Sequence, residues 1–186
     1  MENDEVDLWA TDEVHFQQHG SRCRMWVPPE TKDPVLLHHP TRRSIGYFGA
    51  VRLRDGKFRF SRETGKFNAM TFFAFLKMLR NASIRTGRRV VVIADNAKYH
   101  HAKLHKEWRE NHVADFRLEY LPPYSPELNP IERLWLYLKD SRLTHRVFNG
   151  TTEIIDACCD AWNGLLAETG RIKSLCAYPW LEKVSP

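Results

Sequence analysis

The sequence predicts an α/β domain in which helices flank a mixed β-sheet. Three predicted strands come first, and helices and strands then alternate along the chain. This order is typical of layered α/β domains whose sheet has both antiparallel and parallel neighbours. The length of 186 residues suits one such domain. We therefore expect a single domain over residues 1–186.

The first half of the chain predicts the antiparallel part of the sheet. Val6–Asp12 alternates well enough to form a strand, and Arg24–Pro28 is a candidate for a short one. Ser44–Arg54 and Lys57–Ser61 flank Asp55-Gly56, a dipeptide that favours a two-residue hairpin turn. We expect a β-hairpin there.

One face of this hairpin is expected to be basic. With Asp55-Gly56 as the loop, Arg54 faces Lys57 and Arg52 faces Arg59. Like charges directly opposite one another destabilise a ribbon, so the pattern indicates that something anionic lies near it, either nucleic acid or an acidic neighbour in the protein. A solvated basic face with splayed side chains explains it equally well. Either way, we expect the four side chains to be exposed.

The second half predicts helices alternating with buried strands. Arg89–Asp95 is rich in β-branched residues, which is typical of a strand buried on both faces, and Phe116–Leu121 follows as another strand. Four prolines make residues 122–130 a stiff connector. At the end of this connector, Asn129 is expected to cap a helix that has Pro130 at its first position. Apolar periodicity predicts further helices at 68–82, 102–111 and 152–168, the last burying Ile155, Cys158, Trp162 and Leu166.

Composition excludes several classes of protein. No segment is apolar enough to span a membrane, and the first seven residues carry four acids, so they are not a secretory signal; we expect a cytoplasmic protein. The four cysteines form no C-x-x-C pair and no zinc spacing with the histidines. The net charge of +5 is mild evidence for a polyanionic partner.

Three acidic residues are candidates for a metal site. Asp12 and Asp95 each end a predicted strand, so both side chains emerge at one sheet edge if the strands are neighbours. Glu132 lies in the first turn of a helix that could cross that edge. Two carboxylates ~4 Å apart repel by about 4 kcal/mol at an effective dielectric of 20, so convergence implies a cation. Oxygen ligands suit Mg²⁺ or Mn²⁺.

Each candidate also has a purely structural explanation. Asp12 could form a turn at the end of its strand. Asp95 and Asn96 could form an Asx turn or a helix cap. Glu132, three residues after Asn129, completes a pattern that resembles a capping box. Taken one at a time, the residues do not decide between the two interpretations.

Three segments resemble the signature of the DDE transposases of the mariner superfamily, specifically its bacterial insertion-sequence branch. The longest is Leu-Pro-Pro-Tyr-Ser-Pro-Glu-Leu-Asn-Pro-Ile-Glu-Arg-Leu-Trp at 121–135. Asp-Asn-Ala-Lys-Tyr-His at 95–100 and Trp-Ala-Thr-Asp-Glu-Val-His-Phe at 9–16 match two further motifs of that family. The resemblance covers the chain from Asp7 to about Thr152.

This resemblance implies an RNase H-like fold, with a mixed five-stranded sheet, and transposase activity. Asp12, Asp95 and Glu132 would be the catalytic residues and would bind two Mg²⁺ or Mn²⁺ ions. In that family water attacks the phosphodiester at the element's end, and the freed 3′-hydroxyl attacks target DNA, commonly at a TA step. The implied partners are double-stranded DNA, as terminal inverted repeats and target, and a second copy of the chain in a dimer on DNA.

Other residues of the same motifs have less certain roles. Glu13 follows Asp12, but adjacent strand residues point to opposite faces, so we rank it below the three acids. Asn96 and His100 could each contact DNA or orient a ligand. Capping the following helix is the simpler role for Asn96.

The chain departs from this family at its start. Full-length members carry helix-turn-helix DNA-binding modules before the catalytic domain, and only eleven residues precede Asp12. We expect recognition of transposon ends to come from a separate polypeptide or an upstream reading frame, or to be missing.

Two other functions stay open. One is an inactive remnant or regulatory DNA-binding protein that keeps the basic hairpin. The other is an RNase H-type nuclease, which would share the fold and metals but would not be expected to carry the Pro-Glu-Leu-Asn-Pro sequence at 126–130.

Overall fold

The computed structural model describes residues 5–19, 41–144 and 146–178, and helices cover both faces of its five-stranded sheet. The candidate strand Arg24–Pro28 lies outside these residues. The strands are β1 Val6–Gln17, β2 Ser44–Arg52, β3 Lys57–Glu63, β4 Arg89–Ala94 and β5 Phe116–Tyr120. The helices are α1 Ala69–Ile84, α2 Lys106–Asn111, α3 Ile131–Ser141, α4 Thr151–Ala167 and α5 Arg171–Leu175. Short 3₁₀ turns lie at Lys98–His101, Lys103–His105 and Pro126–Leu128.

The sheet is mixed, in the order β3-β2-β1-β4-β5. β1, β2 and β3 pair antiparallel, whereas β4 runs parallel to both β1 and β5. The α/β class with a mixed five-stranded sheet, predicted from the sequence, is therefore confirmed. No helix in the described ranges is long and apolar enough to cross a membrane.

Two hydrophobic cores lie on opposite faces of the sheet. On one face α1 packs against Trp9, Phe48 and the buried residues of β4. On the other, α3, α4 and α5 pack against Val14, Tyr47 and neighbouring apolar residues. Because side chains alternate along a strand, β1 contributes to both cores. Each fully buried large apolar side chain stabilises the fold by roughly 1.5–3 kcal/mol.

Two burial predictions need correction. In β4, Val90, Val92 and Ala94 are buried, but Val91 and Ile93 on the other face are only partly buried, because α3 and α4 pack over β1 and β2 instead. In α4, Cys158 and Trp162 are buried as predicted, but Ile155 is only partly buried and Leu166 is 52% exposed. Ile154 and Leu165 are buried in their place.

The helices α1, α3 and α4 begin near the predicted positions, whereas α2 is shorter than predicted and α5 was not predicted. Asn68 caps α1 by accepting from the backbone N–H groups of Met70 and Thr71, and Thr71 completes a capping box. The predicted helix at 102–111 forms only over Lys106–Asn111. Ala102 has an extended backbone, and it separates the 3₁₀ turn Lys98–His101 from the 3₁₀ turn Lys103–His105 that precedes α2.

The β2–β3 hairpin forms, but its pairing differs from the predicted one. Arg52 pairs with Lys57 rather than with Arg59, so the loop has four residues instead of two. A two-residue type I′ turn needs positive φ at both central residues, and only Gly56 has one, at 73°. The Asp55 carboxylate instead accepts from the Arg52 side chain and the Lys57 backbone N–H.

Candidate active site

A cavity of about 420 Å³ opens where β4 and β5 end. Asp12, Asp95 and Glu132 all line it. The rest of its wall is Asn96, Ala97, Asn129 and residues 121–126, of which 122–126 are called the proline loop below. The three acids singled out in the sequence are therefore brought to one place.

Strand register explains why the two aspartates meet. Ala10 lies beside Ile93 in the parallel pairing of β1 with β4. Two residues further along both strands, Asp12 reaches the level of Asp95 and points to the same face. The prediction that Asp12 ends its strand is wrong, since β1 continues to Gln17. The neighbouring strand β4 ends at Ala94, so no strand covers this side of β1 beyond that level and Asp12 faces the cavity.

Trp135 of α3 holds the Asp12 side chain. Its indole N–H donates a 3.1 Å hydrogen bond to Oδ2 of Asp12. Gly49 lies directly opposite Asp12 on β2, and a Cβ there would come within 2.3 Å of the Trp135 ring. The absence of a side chain at Gly49 therefore makes room for the residue that orients Asp12.

The electrostatics of Asp12 and Glu132 disfavour their charged forms. Burial raises the pKa of Asp12 well above its usual value, and the negative charges of Glu132, Glu13 and Asp95 raise it further. Burial also raises the pKa of Glu132, with Asp95 adding to the rise, while Lys139 and a hydrogen bond with Asp12 oppose it. A cation in the cavity would relieve this repulsion.

Asp95 belongs to a second cluster with His100 and Glu13. The buried His100 ring lies between the two carboxylates, with Nδ1 2.8 Å from Oδ1 of Asp95 and Nε2 3.0 Å from Oε1 of Glu13. Burial favours the neutral ring, but the hydrogen bonds to Asp95 and Glu13 outweigh it and raise the pKa of His100 to about 9. The hydrogen bond from His100 in turn lowers the pKa of Asp95.

This cluster could also be considered as a metal site, because one donor atom of each residue lies within 4.8 Å of the others. We favour an imidazolium instead, since both ring nitrogens already contact carboxylates on opposite sides of the ring. The expectation that Glu13 and Asp12 point to opposite faces is confirmed, as Glu13 contacts His100 and Asp12 contacts Trp135.

The structure bears on the roles considered for the second motif. His100 is 1% exposed, so of its two alternatives direct contact with DNA is wrong, whereas the orientation of a ligand fits its contact with Asp95. Capping by Asn96 is wrong, because the following 3₁₀ turn has Ala97 at its N-cap position and no side-chain cap. The Asn96 amide instead donates to the carbonyl of Leu121 and ties the end of β4 to the end of β5. The Asx turn considered for Asp95 is present, with Oδ1 accepting from the Ala97 N–H at 2.9 Å.

The capping interpretation of Asn129 and Glu132 is also wrong. No side-chain hydrogen bond caps α3. The buried Asn129 amide donates to the backbone carbonyl of Thr11 at 3.1 Å, which fastens the start of α3 to β1 beside Asp12. Glu132 is left facing the cavity.

The four basic hairpin residues do not share one exposed face. Arg52 is buried and donates to the buried Asp7 at 2.8 Å, because a buried carboxylate needs a charged partner. Arg54 contacts the same carboxylate at 3.1 Å, and Lys57 is half-buried. Arg59 is exposed. The predicted exposure is therefore confirmed only for Arg59, and the acidic-neighbour explanation fits Arg52 and Arg54.

Several residues of the site were not predicted from the sequence. Trp135 was assigned only to the core, and neither Gly49 nor Tyr124 was singled out. The signal for Trp135 was its place in the motif that also contains Glu132. No sequence signal joins Gly49 to Trp135, because their contact depends on how α3 lies across the sheet.

Known proteins match this chain in sequence. The family model described as DDE superfamily endonuclease matches residues 7–155. An uncharacterized protein, y4pE/y4sA, of Sinorhizobium fredii is 35% identical over 102 residues, which are 54% of this chain and 71% of that protein. The insertion element IS630 uncharacterized 39 kDa protein of Shigella sonnei is 30% identical over 141 residues, covering 74% of this chain and 37% of that protein.

Solved structures match it in fold. The Mos1 mariner paired end complex with Mn has a TM-score of 0.68 and 18% identity, over 91% of this chain and 51% of that one. The catalytic domain of the Mos1 mariner transposase has a TM-score of 0.59 and 16% identity, over 91% and 75% of the two chains. The chain thus spans about half the length of the Mos1 chain in the complex.

Proposed function

Because this chain belongs to the DDE superfamily of endonucleases, we propose that it cleaves DNA phosphodiester bonds and joins the freed 3′ ends to a second DNA. The predicted resemblance to a DDE transposase catalytic domain and the RNase H-like fold are both confirmed by the family match and the Mos1 structures. In our proposal Asp12, Asp95 and Glu132 are the catalytic residues. The observation that supports this most is that all three line one cavity.

The donor set fits hard divalent cations. Three carboxylates offer only oxygen ligands. The raised pKa values of Asp12 and Glu132 reflect burial first and the nearby acids second, and a cation bound between the acids would offset both. We propose two Mg²⁺ or Mn²⁺ ions there; related Mos1 complexes are described with Mn and with Mg. Such a pair, when bound, activates an attacking oxygen and stabilises a leaving one.

The protein's own contribution is to hold the carboxylates in place. Trp135 fixes Oδ2 of Asp12, while His100 and the Ala97 N–H both contact Oδ1 of Asp95, which leaves Oδ2 of Asp95 as the oxygen offered to a cation. Asn129 fastens the helix that carries Glu132 to β1. Ligands oriented in advance in this way lower the cost of reaching the reactive geometry.

The proposed substrate is double-stranded DNA, as transposon ends and target. One matching structure is a Mos1 paired-end complex with the left transposon end. The net charge of +5 and exposed Arg59 suit a polyanion. Because the chain spans only part of these relatives, we propose that recognition of the ends uses a helix-turn-helix module outside this sequence, and that two copies act together on DNA.

A nicking assay tests the proposal. Supercoiled plasmid is incubated with the full chain and Mn²⁺ or Mg²⁺, and nicked DNA is measured over time. Asp12→Asn, Asp95→Asn and Glu132→Gln should each lower the rate by more than about 100-fold, since even an indirect metal partner costs 10–100-fold. Glu127→Gln is the matched control, because Glu127 lies beside the proline loop but outside the cavity wall.

Further substrates separate the alternatives. A duplex with a free 3′-hydroxyl should become joined to the plasmid if the chain transfers strands. Cleavage of an RNA–DNA hybrid in preference to DNA would support the RNase H-type alternative. DNA binding without metal-dependent cleavage would support the inactive, regulatory alternative and contradict our proposal for this chain.

A further inference from the structure

The proline loop carries an aromatic residue that the proposed cleavage reaction does not use. Tyr124 is fully exposed and has a φ of 57°. Within the described ranges it is the one non-glycine residue with positive φ. A bulky side chain rarely adopts this conformation, and such strain persists where the surroundings enforce it, often at ligand-binding positions.

The loop is anchored at both ends. Before Tyr124, the backbone N–H of Leu121 donates to Ala94 at 2.9 Å, and Asn96 donates to the Leu121 carbonyl. After it, Ser125 and Pro126 accept backbone hydrogen bonds from Leu128 and Asn129 at 3.1 and 2.9 Å. Prolines on both sides restrict φ further. The ring is therefore presented to solvent by a constrained segment.

The position of the ring indicates what it contacts. Tyr124 lines the same cavity as Asp12, Asp95 and Glu132, and Pro122 and Pro123 beside it are exposed as well. A phosphodiester held at the acids brings the attached nucleosides to this part of the wall. Every nucleobase offers a flat π-face, and aromatic side chains that bind single-stranded DNA stack on such faces.

We infer that Tyr124 stacks on an unpaired DNA base next to the phosphodiester that is cleaved. A base inside a duplex has both faces covered by its neighbours, so only a base that has left the stack can accept the ring. The inference rests on the proposed function, because that function places DNA in the cavity. Its consequence is that the chain binds DNA with unpaired bases at the cleavage position better than the same DNA fully paired.

Fluorescence and affinity measurements test this inference. The probe is a forked duplex with 2-aminopurine at the first unpaired position, and the comparison is the fully paired duplex, both with Ca²⁺ in place of Mg²⁺. The full chain and Tyr124→Phe should quench the 2-aminopurine and prefer the fork. Tyr124→Gly, which keeps the positive φ without strain, should lose the quenching and bind the fork roughly 5- to 100-fold more weakly.

Val113→Ala is the matched control, because Val113 is an exposed apolar residue just before β5, at the opposite end of that strand from the cavity. It should behave like the unaltered chain. Equal fork binding and quenching by Tyr124→Gly and the unaltered chain would overturn the inference. So would loss of both in Tyr124→Phe, since the hydroxyl and not the ring would then be the contact.

The same variants separate this inference from the proposed function. Tyr124→Gly should still bind Mn²⁺ with the affinity of the unaltered chain in a calorimetric titration, because none of the three acids is changed. If the unaltered chain neither binds Mn²⁺ nor nicks DNA, the proposed function is contradicted. If fork binding still depends on the Tyr124 ring in that case, the inference about Tyr124 stands.

Discussion

Trp135 and Asp12 are joined by a hydrogen bond between the indole N–H and Oδ2, across the interface of α3 with β1. The two residues are 123 positions apart in the sequence. Their contact makes the orientation of one proposed metal ligand depend on the packing of the hydrophobic core. Changes in that core should therefore alter metal binding as well as stability.

Gly49→Ala should displace the Trp135 ring. The added Cβ would lie 2.3 Å from a ring atom in a buried site, where a flat indole cannot turn away easily. We expect unfolding free energy to fall by about 1–3 kcal/mol, as for other overpacked cores, and Mn²⁺ affinity to fall with it. Chemical denaturation measures the unfolding free energy, and calorimetry measures the Mn²⁺ affinity.

Gly65→Ala is the control, since its Cβ would meet only ordinary contacts. Equal effects of both variants would contradict this role of Gly49.

Asp12→Asn should stabilise the metal-free protein while removing activity. Because the folded-state pKa of Asp12 is raised, its ionisation opposes folding increasingly as the pH rises above the ordinary value. At pH 7 the neutral amide removes this cost and still accepts from Trp135. We expect a gain of about 1 kcal/mol, or roughly 2–4 °C in Tm.

Mn²⁺ should raise the Tm of the unaltered chain but not that of Asp12→Asn, because only a bound ligand stabilises the folded state. Thermal unfolding with and without Mn²⁺ measures both effects. Asp156→Asn, an exposed change on α4, serves as the control. A metal-free Asp12→Asn that is less stable than the unaltered chain would show that the charge is already compensated.

His100 should make the stability of the metal-free protein depend on pH. Its folded-state pKa of about 9 lies above the ordinary value of 6.5. The stabilisation is therefore fully present below pH 6.5 and is lost as the pH rises through about 9. His100→Gln should lack this component, so the stability difference between the two proteins, on the order of 2 kcal/mol at pH 6, should shrink by pH 9.5. Urea denaturation across this range measures it, and a difference that is constant with pH would rule out a charged His100.

Arg52 and Arg59 should behave differently despite their similar places in the sequence. Arg52→Ala leaves the buried Asp7 with a weaker set of partners and should lower stability by about 3 kcal/mol. Arg59→Ala should change the unfolding free energy by no more than about 0.5 kcal/mol. It should reduce the slope of log DNA affinity against log salt concentration by about one, which corresponds to one released counterion. Denaturation and DNA titrations at several salt concentrations check both results. A stable Arg52→Ala with weakened DNA binding would restore the predicted exposed basic face.

Local patterns in the sequence located most elements of this fold, but they did not predict α5. β-branched runs, the capping residue Asn68 and the apolar stripe of α1 each act over a few residues, so helices and strands could be located within a few positions. The motifs around Asp12, Asp95 and Glu132 identified the candidate acids and the family. The strand-end argument was correct for Asp95 but not for Asp12, which lies inside β1 at the level where β4 ends.

Only the tertiary structure decided how those acids are held. The pairing of Arg52 with Lys57 followed from the turn that Asp55 and Gly56 adopt. The ion pair with the buried Asp7 then placed Arg52, a side chain expected to face DNA, inside the protein. Trp135, Gly49 and His100 act on the candidate site through contacts between elements far apart in sequence. Such contacts depend on the angles and distances at which helices cross the sheet, and residue patterns along one segment carry no information about them. The identity of the acids was therefore a property of the sequence, whereas their orientation and charge are properties of the packed fold.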